Sequence, residues 1–391
     1  MPGRRPGATA AGAARSLREG AALSAEAVVT AVREFAEKDV PAAAELLARV
    51  SPEHGWRRRE DCESYIHEML FANPWRDLDV PSWVAVRGGT LAGFYAMMPR
   101  PMSLYGRPLR AAVGCQISVA PEFRHSLATL QLVQACLRGP QQLTLADNAH
   151  DRSRRMWVGL GGSAPALYGL NWIRPLRPAQ FVLSLLAGRG RIGQPLACVS
   201  RPLAALADRW LARSGDDSLD ATGAQLREVD LDAASMQAEF ESMAGGSALR
   251  PDYGRGELEW LLRQAGSRGG FGKLRARGLR DGKGRLAGWY LYYLRRGGIG
   301  EVLQIAASDG CYGGVLDRLL QDAARRGAAA LRGRLDPRRV DEHASRRCWF
   351  AREGRCTLVH SREPGVLGAF RRGEAFLSRM EGEWWTRFVS G

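Results

Sequence analysis

Residues 89–95 read GTLAGFY and residues 284–290 read GRLAGWY, with five of seven positions identical. The second stretch begins 195 residues after the first in a chain of 391, so the match divides the sequence in half. Shorter matches keep the same order. Val32-Arg33-Glu34 answers Leu226-Arg227-Glu228, Gln116-Ile117 answers Gln304-Ile305, and Leu132-Val133-Gln134 answers Leu319-Leu320-Gln321. An ordered repeat of this period means two copies of one folding unit. Length agrees, because 391 residues exceed what a single core ordinarily serves, and a 45% hydrophobic content is enough for two.

Hydrophobic periodicity and turn residues divide the first copy into elements. They predict a strand over 31–36, helices over 40–50 and 62–71, and strands over 83–87, 91–98 and 111–119. A helix over 127–137, a strand over 143–146, a helix over 152–160 and a strand over 168–173 follow. Asp39 is the expected N-cap of the first helix, Asn73-Pro74 ends the second, and Gly88-Gly89 marks a hairpin. The second copy repeats the order over 226–229, 233–243, 257–264, 274–279, 286–294, 301–307, 315–325, 329–335, 340–350 and 356–360. The fold class is therefore mixed α/β (α+β, mixed sheet), in two tandem domains over 28–177 and 225–362. A flexible Ala/Gly/Arg-rich leader covers 1–27. A linker covers 178–224, with loops over 188–193 and 214–221 around a helix over 203–212. An amphipathic helical tail over 363–391 is expected to dock on the body.

The net charge of +15 comes almost entirely from arginine, since only Lys38, Lys273 and Lys283 among 56 basic residues are lysine. The arginines are scattered, which argues against a nucleic-acid surface and leaves a polyanionic small ligand as the natural beneficiary. Seven cysteines without a CxxC pair or ligand spacing fit reduced thiols and no metal. The leader lacks the apolar region of a signal peptide, and no apolar run approaches a membrane span. The expected location is the cytoplasm.

The sharpest local signal is Ser118-Val119-Ala120-Pro121-Glu122-Phe123-Arg124, a strand end just ahead of a helix. Here the chain resembles the GNAT superfamily of N-acetyltransferases, whose signature is a V-x-P-x-[FY]-R strand end followed by a glycine-bearing loop that opens a helix. Strand order agrees across both halves. The resemblance implies two tandem GNAT-like acyltransferase domains that use acetyl-CoA or another acyl-CoA as co-substrate, without a metal. Amides of the loop and first helical turn would face the cofactor's pyrophosphate, where the helix dipole favours negative charge. Carried onto this chain, the implied donor-site residues are Ile117, Ser118, Val119, Arg124, His125, Ser126, Leu127, Ala128, Thr129 and Asn148 in the first copy, with Gly313 and Gly314 in the second.

The two copies depart from the pattern in opposite ways. Leu127 and Thr129 fill the first copy's glycine positions; the second lacks the V-x-P-x-F-R stretch but carries Gly310-Cys311-Tyr312-Gly313-Gly314. Where many members place a tyrosine that protonates the departing thiolate, this chain has Trp157 in one copy and Cys348-Trp349-Phe350 in the other. An indole N–H is no acid near neutral pH. Cys348 is thus a candidate acid, while Glu122, Glu301, His343 and His360 are candidate bases. Asn148 either bonds the pantetheine arm or caps the next helix.

The reading is an acyl-CoA-dependent N-acyltransferase acting on an amine, with a small amine or sugar amine ahead of protein lysine. The first copy is expected to bind the donor. A non-catalytic tandem scaffold or acyl-CoA sensor is the alternative, and a Fem-like aminoacyl transferase a further one.

Overall fold

The computed structural model describes residues 31–187 and 226–386, apart from 53, 54, 57 and 245, with isolated positions 204, 206 and 208 between. The expected leader lies outside the described residues, as does the linker beyond 187 except for those three positions.

The first half runs β1 (Ala31–Glu34), α1 (Val40–Val50), α2 (Arg59–Leu70), β2 (Trp83–Arg87), β3 (Thr90–Leu104) and β4 (Arg107–Val119). It continues with α3 (Ala128–Leu137), β5 (Leu143–Ala149), α4 (Asp151–Gly159), β6 (Asn171–Pro175) and α5 (Pro178–Ala187). The second half runs β7 (Arg227–Asp230), α6 (Ala233–Met243), β8 (Leu249–Pro251), α7 (Arg255–Gly266), β9 (Lys273–Arg280), β10 (Leu286–Leu294) and β11 (Ile299–Ala307). Then come α8 (Tyr312–Arg325), β12 (Ala330–Arg334), α9 (Val340–Ser345), β13 (Trp349–Ala351), β14 (Cys356–Ser361) and α10 (Pro364–Arg372).

Two mixed sheets result, ordered β1-β2-β3-β4-β5-β14 and β7-β9-β10-β11-β12-β6-β13. In each, one pair is parallel, β4–β5 or β11–β12, and the rest of the path is antiparallel. The order repeats, with one exchange. β6 of the first half pairs with β12 and β13, and β14 of the second half pairs with β5. The sequence boundaries at 177 and 362 therefore assign each closing strand to the wrong sheet. Alternation identifies a strand but carries no information about which edge receives it.

The shared motif has a packing reason. A Cβ on Gly93 would lie 2.8 Å from the Ser118 carbonyl oxygen and 3.3 Å from Leu132 of α3. At Gly288 the corresponding approaches are 2.6 Å to the Ala306 oxygen and 2.7 Å to Val315 of α8. Only glycine lets strand and helix come this close. The Phe94/Trp289 position points the other way, into the largest buried cluster, which also takes Trp260 and Trp385. That cluster draws on both halves and the segment after α10, so the two expected cores share a common middle. Smaller clusters lie on the outer faces, under α3 and α8.

The β3–β4 hairpin is longer than expected, since β3 continues through Pro99 and Pro101 to Leu104. They sit between the pairing of β3 with β2, which ends at Tyr95, and with β8, which begins at Met102, and the Pro101 carbonyl accepts the Asp252 amide at 3.0 Å. Proline is tolerated at a strand edge, and Ser82 Oγ accepts the free Met97 N–H there at 2.9 Å. Among the described residues, the tail is helical only to Arg372. Gly373 (φ 74°) ends it in the left-handed conformation, and the irregular chain beyond it buries Phe376, Met380 and Trp385. Asp39 holds the Ala36 amide and Arg33 rather than capping α1 with its side chain. Among the described residues, no helix is long and apolar enough to cross a membrane.

Candidate functional site

The parallel pair of each sheet opens into a cleft, and the cause is a repeated irregularity. The β3–β4 register passes from Ala96↔Gln116 to Met97↔Gly114, leaving Cys115 as an extra residue. The β10–β11 register passes from Leu291↔Gln304 to Tyr292↔Val302, leaving Leu303. Such a bulge bends its strand. In both sheets the parallel pairing stops just ahead of it, at Val113↔Leu145 and Val302↔Gly333. Beyond that point the strands diverge, and one edge of β4 and of β11 is left without a neighbouring strand.

In the first half the cleft is open, a cavity of about 660 Å³. Ile117, Ser118 and Val119 form one wall, Ala146 and Asn148 the other, and Arg124 and Thr129 stand at the start of α3. Ser126 Oγ shapes that start by donating to the Phe123 carbonyl at 2.7 Å and accepting the Ala128 amide at 3.2 Å. Arg124 and Thr129 thus line the cavity together where α3 begins, and a helix start beside an arginine suits an anion. Of the other expected donor residues, His125 and Leu127 are exposed off the walls, and Ala128 packs in the core beneath the helix. Asn148 does not cap α4, whose N-cap is His150.

Deeper in, Tyr95 and Trp157 line the cavity together. Tyr95 lies over Gly114, where a Cβ would collide with its hydroxyl. Burial pushes the phenol well above its ordinary range, while a hydrogen bond from Trp157 acts in the opposite direction. Opposite them a carboxylate arrives from the far end of the chain. Glu383 lines the cavity, and its Oε1 accepts the Asn148 amide at 3.0 Å. The Glu383 amide donates to Asp147 Oδ1 at 2.6 Å, and Gly382 makes the approach possible because a Cβ there would collide with the Asp147 carboxylate.

In the second half the same cleft is filled, with about 30 Å³ of space left. The chain after α10 enters it: the Arg379 amide donates to the bulge carbonyl of Leu303 at 3.0 Å, and Gln304 Nε2 donates to Glu381 at 2.9 Å. From the other side, Trp172 of the exchanged β6 packs against His343 (ring centroids 4.7 Å), whose Nε2 is 3.1 Å from the Tyr312 hydroxyl. Burial first, and Arg346 second, push His343 down to about 3, so it is a neutral core group, not a base. Gly313 lies under the Arg346 guanidinium, which is held by Asp317 at 2.5 Å, and Gly314 is buried in α8. Neither lines the cleft of its half or the open cleft of the other. Tyr290, the repeat partner of Tyr95, is tied to Glu228 at 2.6 Å.

The candidate acids and bases read from the sequence are not assembled. Glu122 is a half-exposed residue paired with Arg49 at 3.2 Å, off the cavity wall. Glu301 is partly buried between Arg379 (2.5 Å) and Arg332; burial alone would raise it, but the two guanidiniums hold it below the usual carboxylate range. Cys348 is buried in the second half and pushed up to about 12, chiefly by burial. His360 is half-buried and lowered by burial and Arg362, away from either cleft. Sequence reasoning passed over Tyr95 and Glu383. The repeat marked Tyr95 as significant without saying for what, and nothing local to Gly382-Glu383 tells which sheet the tail reaches.

No family model matches the sequence, and no curated protein is similar enough in sequence to serve as a relative. Solved structures do match. A GCN5-related N-acetyltransferase from Anabaena variabilis superposes with a TM-score of 0.54 at 10% identity, over 85% of this chain and 72% of its own. A probable N-acyltransferase from Enterococcus faecalis gives 0.54 at 8% identity over the same shares. At such identities the likeness establishes the fold, and the fold is that of the GCN5-related N-acetyltransferases.

Proposed function

We propose that the chain is an acyl-CoA-dependent N-acyltransferase whose first half carries the reaction and whose second half is structural. The observation that supports this most is the open cleft between β4 and β5, which has an anion-ready helix start at one end and the Glu383 carboxylate at the other. The phosphates of acyl-CoA would lie at Arg124 and the first turn of α3, with the pantetheine arm along the unpaired edge of β4. Glu383 would take the proton of the acceptor ammonium. The free amine then attacks the thioester carbon, and backbone N–H groups facing the cleft stabilise the oxyanion. Collapse breaks the C–S bond as Tyr95 donates its proton to the thiolate; the new amide nitrogen gives up its second proton to restore the phenol, and Glu383 releases the first to solvent. Trp157 is a positioning residue here, since its N–H bond to the phenol eases the loss of that proton. The filled second cleft supports a structural role for the second copy.

The test needs no acceptor. Acetyl-CoA and free CoA should each bind in calorimetry at one site per chain. The thiol of bound CoA, titrated by thiolate absorbance, should ionise about one to two units higher in Tyr95→Phe than in the parent, the worth of one hydrogen bond to a charged sulfur. Failure of both ligands to bind would remove the reading, and an unmoved thiol titration would remove Tyr95 from it.

A further inference from the structure

A second cavity, of about 340 Å³, lies on the tail side of β5 and touches the first, since Asn148 and Arg355 line both. Glu383, held on the Asn148 amide, stands at the junction. Four guanidiniums face this second space: Arg332 and Arg334 of β12, Arg355 before β14, and Arg379 of the tail. Three carboxylates answer them. Glu301 binds Arg332 and Arg379, Glu353 binds Arg332, and Asp147 binds Arg334 at 2.6 Å. Arg355 has no carboxylate partner among the described residues; its Nη1 donates to the Asn148 carbonyl at 3.3 Å and contacts His150. Counted with its ion partners and without Glu383, the wall therefore carries one more positive charge than negative, on an exposed arginine beside the carboxylate assigned as base.

Resting on the proposed reaction, we infer that this cavity is the acceptor subsite and takes a small amine that also carries an acidic group. The two charges of such a molecule match the two ends of the space. Its ammonium meets Glu383 at the junction, and its carboxylate or phosphate meets Arg355, whose planar fork suits a bidentate anion. The ion pairs fix the other arginines in place, so the anion enters a preformed polar wall. An amine without the acidic group leaves the excess positive charge unanswered. A protein lysine would bring a long backbone to a space of this size.

The experiment uses matched acceptors with the full chain and acetyl-CoA, following CoA thiol release: 4-aminobutyrate against butylamine, and phosphoethanolamine against ethanolamine. The acidic member of at least one pair should have a kcat/KM ten-fold or more above its neutral partner. That ratio should fall with added salt, collapse in Arg355→Gln and return in part in Arg355→Lys. The better pair decides between carboxylate and phosphate. Equal or better use of neutral amines overturns the inference, as does a ratio unchanged in Arg355→Gln, including the case in which that variant weakens acetyl-CoA binding alone and so places Arg355 on the donor phosphates. Should no amine be acetylated, calorimetry of the same pairs with the acetyl-CoA complex, or with the free chain if acetyl-CoA does not bind, gives the same two outcomes. Failure of acetyl-CoA to bind counts against the reaction; equal binding of acidic and neutral amines counts against the subsite.

Discussion

The two clefts are built from the same parts and end in opposite states. Each has the motif glycine that lets a helix press on the sheet, a bulge one residue before a glutamine, and a parallel pair that stops at the bulge. The first keeps about 660 Å³ open and the second about 30 Å³. What separates them is what covers the opening. Over β11 the tail supplies an amide to the bulge carbonyl and Trp172 fills the space, while over β4 the tail contributes only Glu383 to the wall. The scaffold is alike in both halves, whereas the capacity to hold a ligand rests on long-range packing. A single segment after α10 fills one cleft and completes the other.

The largest effect expected from this difference falls on Glu383. Glu383→Gln keeps an oxygen for the Asn148 amide but removes the base, so acetyl transfer should drop by about 10²- to 10⁴-fold while acetyl-CoA affinity holds. Steady-state turnover alongside calorimetry separates the two. Undiminished turnover would make the tail a closing segment in both halves, and the asymmetry would then be one of volume alone.

A smaller effect compares the two helix starts directly. Ser126→Asp retains an acceptor for the Ala128 amide and places a negative charge where the phosphates would lie. Gly313→Asp places the same charge beside Arg346. Acetyl-CoA affinity should weaken at least about ten-fold, some 1.4 kcal/mol, in the first and stay within two-fold in the second. The reverse pattern would move the donor site to the glycine-rich loop of the second copy.

Much of this architecture was legible in the sequence, and the misses have a common cause. Strand alternation, hairpin glycines and the position of α3 follow from residues within a few positions of each other, and the repeat from a direct match between two such stretches. The exchange of β6 and β14, the shared middle core and the route of the tail depend on contacts between segments some two hundred residues apart. Tyr95 sat inside the clearest motif of the chain, yet the same motif gives Tyr290 a bond to Glu228 in the other copy. Gly313 and Gly314 were included among the expected donor residues because glycine permits close approach, although the first copy was the expected donor site. It was Arg346, thirty-odd residues on, that took the approach instead.

The last comparison is one of stability rather than activity and concerns the filled cleft as a dry core. His343 sits in it with burial and Arg346 holding its pKa near about 3, against 6.5 for an ordinary histidine. Its folded pKa is depressed, so below pH 6.5 the unfolded chain takes up a proton that the folded chain refuses. Stability should therefore fall as pH drops from 6.5 towards 3, by up to about 1.4 kcal/mol per pH unit from this group. Below the folded pKa that contribution to the slope ends. Urea unfolding at pH 7, 6, 5 and 4 reads it, with His343→Gln as the control that keeps a polar partner for Tyr312 and does not titrate. The parent should lose stability with acid more steeply than the variant, even if the variant is less stable at pH 7. Parallel slopes would mean that water reaches His343, and the second cleft would then be a closed site rather than a filled one.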